Sequence, residues 1–163
     1  MAFFEKVKYS TKRTYTNVEI SKIQSIADLK KIPRKPRFYI IFSNYTLREN
    51  KCTCFLNDSN KNYPAIYRGQ GYNVRERIKS HLFNKKYNGS FTICLDLDGE
   101  KGINIDTDAR NNGYSWFIAF HGMTTTNGNT EEFIRIQAEI AFDNYFTKPV
   151  GSKDITRRFK TMQ

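Results

Sequence analysis

Residues 66–82, IYRGQGYNVRERIKSHL, gather two glycines, two tyrosines, three arginines and a histidine where a strand reads into a helix. Arg77 and His81 are one helical turn apart, so their side chains leave the same face of that helix. Both lie within two turns of its start, where unpaired backbone N–H groups and the helix dipole favour an anion. Tyr67 leaves the preceding strand at the same place. Cleaving a phosphodiester requires a fixed cation for charge developing on the phosphoryl oxygens, and a group that takes a proton from water. A planar, bidentate arginine suits the first task; Tyr67 or His81 can serve the second. The competing reading of an isolated R-x-x-x-H is a solvated helix flank. A further polar candidate sits on a later helix, where Glu132 and Glu139 are two turns apart on nearly one face, flanking an apolar Phe133/Ile136/Ile140 stripe. Glu132 forms a capping box with Asn129, which leaves Glu139 in mid-helix without a local task.

Charge placement narrows the partners. The chain carries a formal +11, and residues 1–37 hold ten Lys/Arg against three acids, residues 148–163 five against one, and residues 38–147 twelve of each. Basic ends on a neutral body fit phosphate-backbone contacts, which give sequence-independent and salt-sensitive affinity. Lys35 and Arg37 at one end and Arg157 and Arg158 at the other are the candidate DNA contacts; an acidic protein is the other class of partner this charge admits.

Several classes fall away. Cys52, Cys54 and Cys94 are too few and too oddly numbered for a disulfide framework, and the one-residue gap in Cys52-Thr-Cys54 is poor spacing for zinc. They read as reduced strand residues. No apolar run approaches the ~20 residues of a membrane span, and MAFFEKVKYSTKR lacks the apolar stretch of a signal peptide, so the expected location is the cytoplasm. DLDGEKGINIDTD (96–108) resembles a calcium loop, but Lys101 and Thr107 stand where such a loop needs Gly and Glu; it reads as a hairpin turn. His121 reads as a strand-end histidine and Trp116 as core.

The elements that must position the candidates read as follows. Ile20, Ile23, Ile26, Leu29 and Ile32 recur every third residue and suggest a helix stopped by Pro33 and Pro36. RFYIIF (37–42) reads as a buried strand, residues 43–63 as a hairpin around 51–56 with a loop over 57–62, and PAIYRG (64–69) as a strand antiparallel to the first. Asn73 and Glu76 form a capping box, Val74, Ile78 and Leu82 make that helix's buried stripe, and Gly69 and Gly71 supply unusual backbone angles at its entry. FTICLDL (91–97) and YSWFIAF (114–120) read as strands, and a last helix runs to about Phe146. The organisation expected is a basic extension over 1–36, one α/β domain over 37–151 and a basic tail over 152–163.

This order of residues resembles the GIY-YIG nuclease superfamily, whose signature is a strand ending in G-I-Y, a strand ending in Y-I-G, a helix with an arginine about ten residues further on, and a glutamate on a later helix. Here RFY (37–39) and YRG (67–69) stand for the two strand motifs, Arg77 follows Tyr67 by ten residues, His81 follows by four more, and Glu139 precedes Pro149 by ten. Arg37, Phe38 and Arg68 depart from the motif, the loop between the tyrosines is long, and Val-Gly-Ser replaces the asparagine usual after the proline. The resemblance implies a small antiparallel β-sheet flanked by helices, cutting duplex DNA with Mg²⁺ (or Mn²⁺). It implies that Tyr39 and Tyr67 bracket the attacking water, one of them as general base. In the same scheme Arg77 holds the phosphate, His81 assists proton handling or leaving-group positioning, and Glu139 binds the metal. A self-contained restriction-type enzyme, or a phage or mobile-element nuclease, is the expectation, alone or as a dimer. The alternative is a non-catalytic basic module gripping nucleic acid on the same fold.

Overall fold

The run RFYIIF becomes strand β2 (Arg37–Ser43), buried from Phe38 onward because neighbours cover both of its faces and both of its edges. In this computed structural model β2 lies between β4 (Lys61–Gly71) and β7 (Trp116–His121), antiparallel to both. Strand β1 (Val18–Lys22) adds to β7 and β3 (Phe55–Asp58) adds to β4, so the five-stranded sheet has the order β1–β7–β2–β4–β3. Two α-helices, α1 (Val74–Phe83) and α2 (Gly128–Phe146), pack on it, and a separate two-stranded hairpin joins β5 (Asp96–Leu97) to β6 (Glu100–Lys101). The structure describes residues 18–45, 49–93, 95–97, 100–108, 113–121 and 128–153. The α/β class and the antiparallel sheet thus agree with the sequence reading.

The period of two along each strand sorts the core into two layers. Tyr39, Ile41, Ile66, Ile118 and Phe120 face α1 and bury Val74, Ile78 and Leu82. Phe38, Ile40, Phe42, Phe117 and Ala119 face α2 and bury Ile134, Ala138 and Phe142.

Local readings needed correction where period or turn chemistry was mistaken. The every-third-residue isoleucines do not make an α-helix: Val18–Lys22 is an edge strand, and Ile26–Lys31 is a 3₁₀ helix, whose three residues per turn match that spacing. From Val18 on, the segment read as a basic extension supplies a strand and the core residues Ile23, Leu29 and Ile32. Residues 57–62 are not a loop but the tip of the β3–β4 hairpin, where Ser59 (φ 50°) and Asn60 (φ 63°) form the left-handed pair that tight hairpins require. FTICLDL forms no continuous strand, because its backbone is spent elsewhere: Ile93 N–H donates to Ser80 Oγ at 2.6 Å and Phe91 bridges Tyr87. Asn129 lies within α2. Phe133 is exposed and Ile140 half-buried, while Ile136 is buried as expected, and the helix residues packed into the core layer are Ile134, Ala138 and Phe142.

Candidate active site

Strand β4 carries a bulge where its register with β2 steps from Ile41–Tyr67 to Phe42–Ala65, leaving Ile66 extra. Bulges commonly re-aim side chains beside active sites, and this one turns both Ile66 and Tyr67 toward α1. The bulged carbonyl of Ile66 accepts from Gly151 N–H at 3.0 Å, and a Cβ on Gly151 would stand 2.6 Å from that oxygen. Only glycine fits there.

Across the ladder, Tyr39 pairs with Gly69, so the bare Cα of Gly69 lies under both tyrosine rings. A Cβ on it would meet Tyr39 Oη and Tyr67 Cε1, each at 2.8 Å. Gly71 has the same role for Arg77, whose Nε occupies the space a Cβ would need. Neither glycine has a positive φ. They serve by lacking a side chain, not by adopting a glycine-only turn as the sequence suggested.

Helix α1 then supplies Arg77 and His81. Asn73 Oδ1 accepts from Glu76 N–H at 3.2 Å, which is half of the expected capping box, since the Glu76 carboxylate turns to Lys79 and Asn88 N–H, and burial of Val74, Ile78 and Leu82 fixes the helix rotation. That rotation turns Arg77 and His81 toward β4. Tyr39 Oη and His81 Nε2 are hydrogen-bonded at 2.8 Å, and the Tyr67 ring lies 4.5 Å from the imidazole and 5.9 Å from the Tyr39 ring. The Tyr67 side chain also acts on the Tyr39 phenol, raising its pKa. The result is a cluster in which Tyr39 is hydrogen-bonded to His81 and stacked on Tyr67. Tyr39 and His81 are fully buried, whereas Tyr67 and Arg77 keep part of their surface in solvent. Of the two tyrosines, Tyr67 is the one water reaches.

Burial sets the protonation states. It pushes the Tyr39 phenol well above the usual tyrosine range, reinforced by Tyr67 and opposed by Arg77, so Tyr39 remains protonated. It also pulls His81 down to about 3, with the Arg77 charge acting in the same direction and the Ile93 backbone against it. His81 is therefore neutral at physiological pH.

Glu139 arrives from the other layer. Arg68 alternates with Tyr67 along β4, and its buried guanidinium takes Asp143 bidentately at 2.8 and 2.6 Å, the Lys153 carbonyl at 2.9 Å and Glu139 at 3.5 Å. Burial opposes the Arg68 charge, but Asp143 and Glu139 outweigh it and raise its pKa. Glu139 is fully buried rather than a rim residue, and its negative charge still acts on Tyr39. Four of the five expected residues thus converge on the α1 face of β4. The fifth is held on the α2 face and coupled electrostatically.

Three contributors escaped the sequence reading. Arg68 passed as a tolerated departure, yet a cation inside a strand, facing two acids one turn apart on α2, signals a buried ionic knot. Ser152 Oγ accepts from Arg68 N–H at 2.7 Å and donates to Arg68 O at 3.0 Å, tying the segment after Pro149 to β4. Tyr87 sets its ring 5.8 Å from the Arg77 guanidinium. Of the expected backbone contacts, Lys35 is exposed, and Arg37 is half-buried and donates to the Pro36 carbonyl at 2.8 Å; Arg157 and Arg158 lie outside the described residues.

Among the described residues no group of three or more His, Cys, Asp or Glu side chains stands together as a metal cage. Mg²⁺ does not need one, since it commonly keeps its waters and uses one or two carboxylates with substrate oxygens. Glu139, the carboxylate the resemblance assigns to the metal, is fully buried and ion-paired with Arg68 at 3.5 Å. No helix among the described residues is long and apolar enough to cross a membrane. No family model, no curated protein and no solved structure matches this chain.

Proposed function

We propose that this protein is a metal-dependent endonuclease of GIY-YIG type that hydrolyses phosphodiester bonds in duplex DNA, serving as a small restriction-type, phage or mobile-element enzyme. The observation that carries this reading is the Tyr39–His81 hydrogen bond, with the Tyr67 ring packed against both, beside Arg77 on one face of β4. A binding module has no use for a buried tyrosine–histidine pair next to a partly exposed cation.

In this mechanism the scissile phosphate docks on Arg77, whose fork stabilises the charge that grows on its oxygens. Water beside the half-buried Tyr67 side chain attacks phosphorus. Its proton passes to Tyr67, the Tyr67 proton to Tyr39, and the Tyr39 proton to His81 Nε2. As the new P–O bond forms, the bond to the leaving sugar oxygen breaks. His81 is a weak acceptor in the free protein because burial and Arg77 both disfavour imidazolium. A bound phosphodiester cancels the Arg77 contribution, so substrate itself raises the histidine's proton affinity. Glu139 is the residue that would hold Mg²⁺ or Mn²⁺, which would supply charge neutralisation for the leaving group.

The rival reading, a binding module without catalysis, draws support from the contact between Glu139 and Arg68, which could be purely structural. Incubating the full chain with plasmid and Mg²⁺ separates the two. The enzyme reading predicts DNA breaks that require metal; intact plasmid, bound but uncut, would leave the binding module standing.

A further inference from the structure

Between α1 and Ile93 the chain makes a small projection whose features the catalytic reading does not use. Asn84 ends the helix in the left-handed region (φ 52°), and Asn88 (φ 47°) and Gly89 (φ 75°) turn the chain back. Ser90 N–H closes the turn on Tyr87 O at 2.9 Å, while Tyr87 N–H donates to Phe91 O and their rings lie 5.7 Å apart. Residues 87–91 are therefore a tight turn closed by a single antiparallel bridge. Lys85, Lys86, Asn88, Ser90 and Phe91 are all exposed on it, Phe91 to 58 %.

The turn is fastened to the helix that carries Arg77. Asn88 N–H donates to Glu76 Oε2 at 3.4 Å, Ile93 N–H donates to Ser80 Oγ at 2.6 Å, and Tyr87 sets its ring 5.8 Å from the Arg77 guanidinium. The tip begins one residue beyond that ring.

We infer that residues 85–91 form a DNA-groove-reading ribbon, with Lys85 and Lys86 on flanking phosphates and Asn88, Ser90 and Phe91 on base edges. A phosphate held by Arg77 brings the neighbouring groove of a B-form duplex over this tip, and a major groove of about 12 Å admits a two-stranded ribbon. The amide of Asn88 and hydroxyl of Ser90 are donor–acceptor groups of the kind that read base edges, and an exposed phenyl suits the thymine methyl. Lysines at the base of the ribbon supply position and affinity without sequence information. A-form RNA, whose major groove is deep and narrow, does not fit the same tip. The inference rests on the nuclease reading only for where the phosphate sits.

The test measures duplex binding by fluorescence anisotropy in the presence of a chelator, so that cleavage plays no part. K85Q/K86Q should weaken binding to duplex DNA on the order of tenfold and lower the salt slope by roughly 0.9 per lysine. N88G/S90A keeps the left-handed turn and should leave the salt slope unchanged while relaxing the sequences selected from a randomised duplex pool. Unchanged affinity and slope in K85Q/K86Q, an unchanged selected sequence in N88G/S90A, or equal binding to duplex RNA would each overturn the ribbon. Plasmid cleavage by the same proteins keeps the two proposals apart. A ribbon that binds as described in a protein that never cuts DNA removes the nuclease reading alone, and normal cutting with indifferent ribbon variants removes the ribbon alone.

Discussion

The two faces of strand β4 teach opposite lessons about how this sequence uses polar residues. On the α1 face, Tyr39 and His81 are buried, neutral and hydrogen-bonded to each other, and Tyr67 and Arg77 beside them keep part of their surface in solvent. On the α2 face, Arg68, Glu139, Asp143 and the Lys153 carbonyl form an ionic knot in which Arg68 and Glu139 are buried and Asp143 reaches the surface. Adjacent residues 67 and 68 belong to different faces purely because strand side chains alternate. The proposed chemistry draws mainly on the first face, and the second ties helix α2 and the segment after Pro149 to the strand.

That contrast can be broken by moving stability and activity separately. Arg68→Met should have the largest effect, since it leaves buried Glu139 and half-buried Asp143 without their cation. Removing one partner of a buried ion pair costs about 3–5 kcal/mol, read as a lower urea midpoint at unchanged slope. A loss under about 1 kcal/mol would show that the knot is mostly solvated and the contrast false. Glu139→Gln sharpens the same point. It should retain duplex binding and most of the stability yet lose metal-dependent cutting by at least about a hundredfold. If it instead destabilises as Arg68→Met does and still cuts, Glu139 belongs to the knot alone.

A smaller effect follows from His81 and has a definite sign. Its folded pKa of about 3 lies below the 6.5 of an ordinary histidine, so between those values the unfolded chain binds more protons than the folded one. Stability is therefore full above pH 6.5 and falls as the pH drops toward 3, at up to about 1.4 kcal/mol per unit. His81→Gln should flatten the fall in urea midpoint between pH 6.5 and 4.5. An equally steep fall in the variant would assign the acid sensitivity to the carboxylates.

The sequence was a better guide to the α1 face than to the α2 face. Capping by Asn73 and the Val74/Ile78/Leu82 stripe are local signals, and together they set Arg77 and His81 beside Tyr67. The β2–β4 pairing was legible from two apolar runs of suitable length. The bulge at Ile66 was not, because nothing in the residues themselves shows that Gly151, eighty-five positions away in the chain, donates to the Ile66 carbonyl. The roles of Gly69 and Gly71 were misread for a similar reason: glycine advertises backbone freedom, and the clearance under Tyr39 and Arg77 appears only in the fold. Arg68 was underrated because its partners lie on an element seventy residues later, so its strand neighbours alone made it look like a substitution. Isoleucines every third residue were assigned to an α-helix when they fit a 3₁₀ turn following an edge strand.

The central claim is that the α1 face performs phosphodiester hydrolysis with Arg77 on the phosphate. It is tested most directly by comparing the wild-type protein with Arg77→Ala on plasmid DNA in Mg²⁺, with a urea midpoint measured on both. The account predicts metal-dependent breaks by the wild type, a loss on the order of a hundredfold or more in the variant, and nearly equal midpoints. A folded Arg77→Ala protein that cuts as fast as the wild type would contradict it.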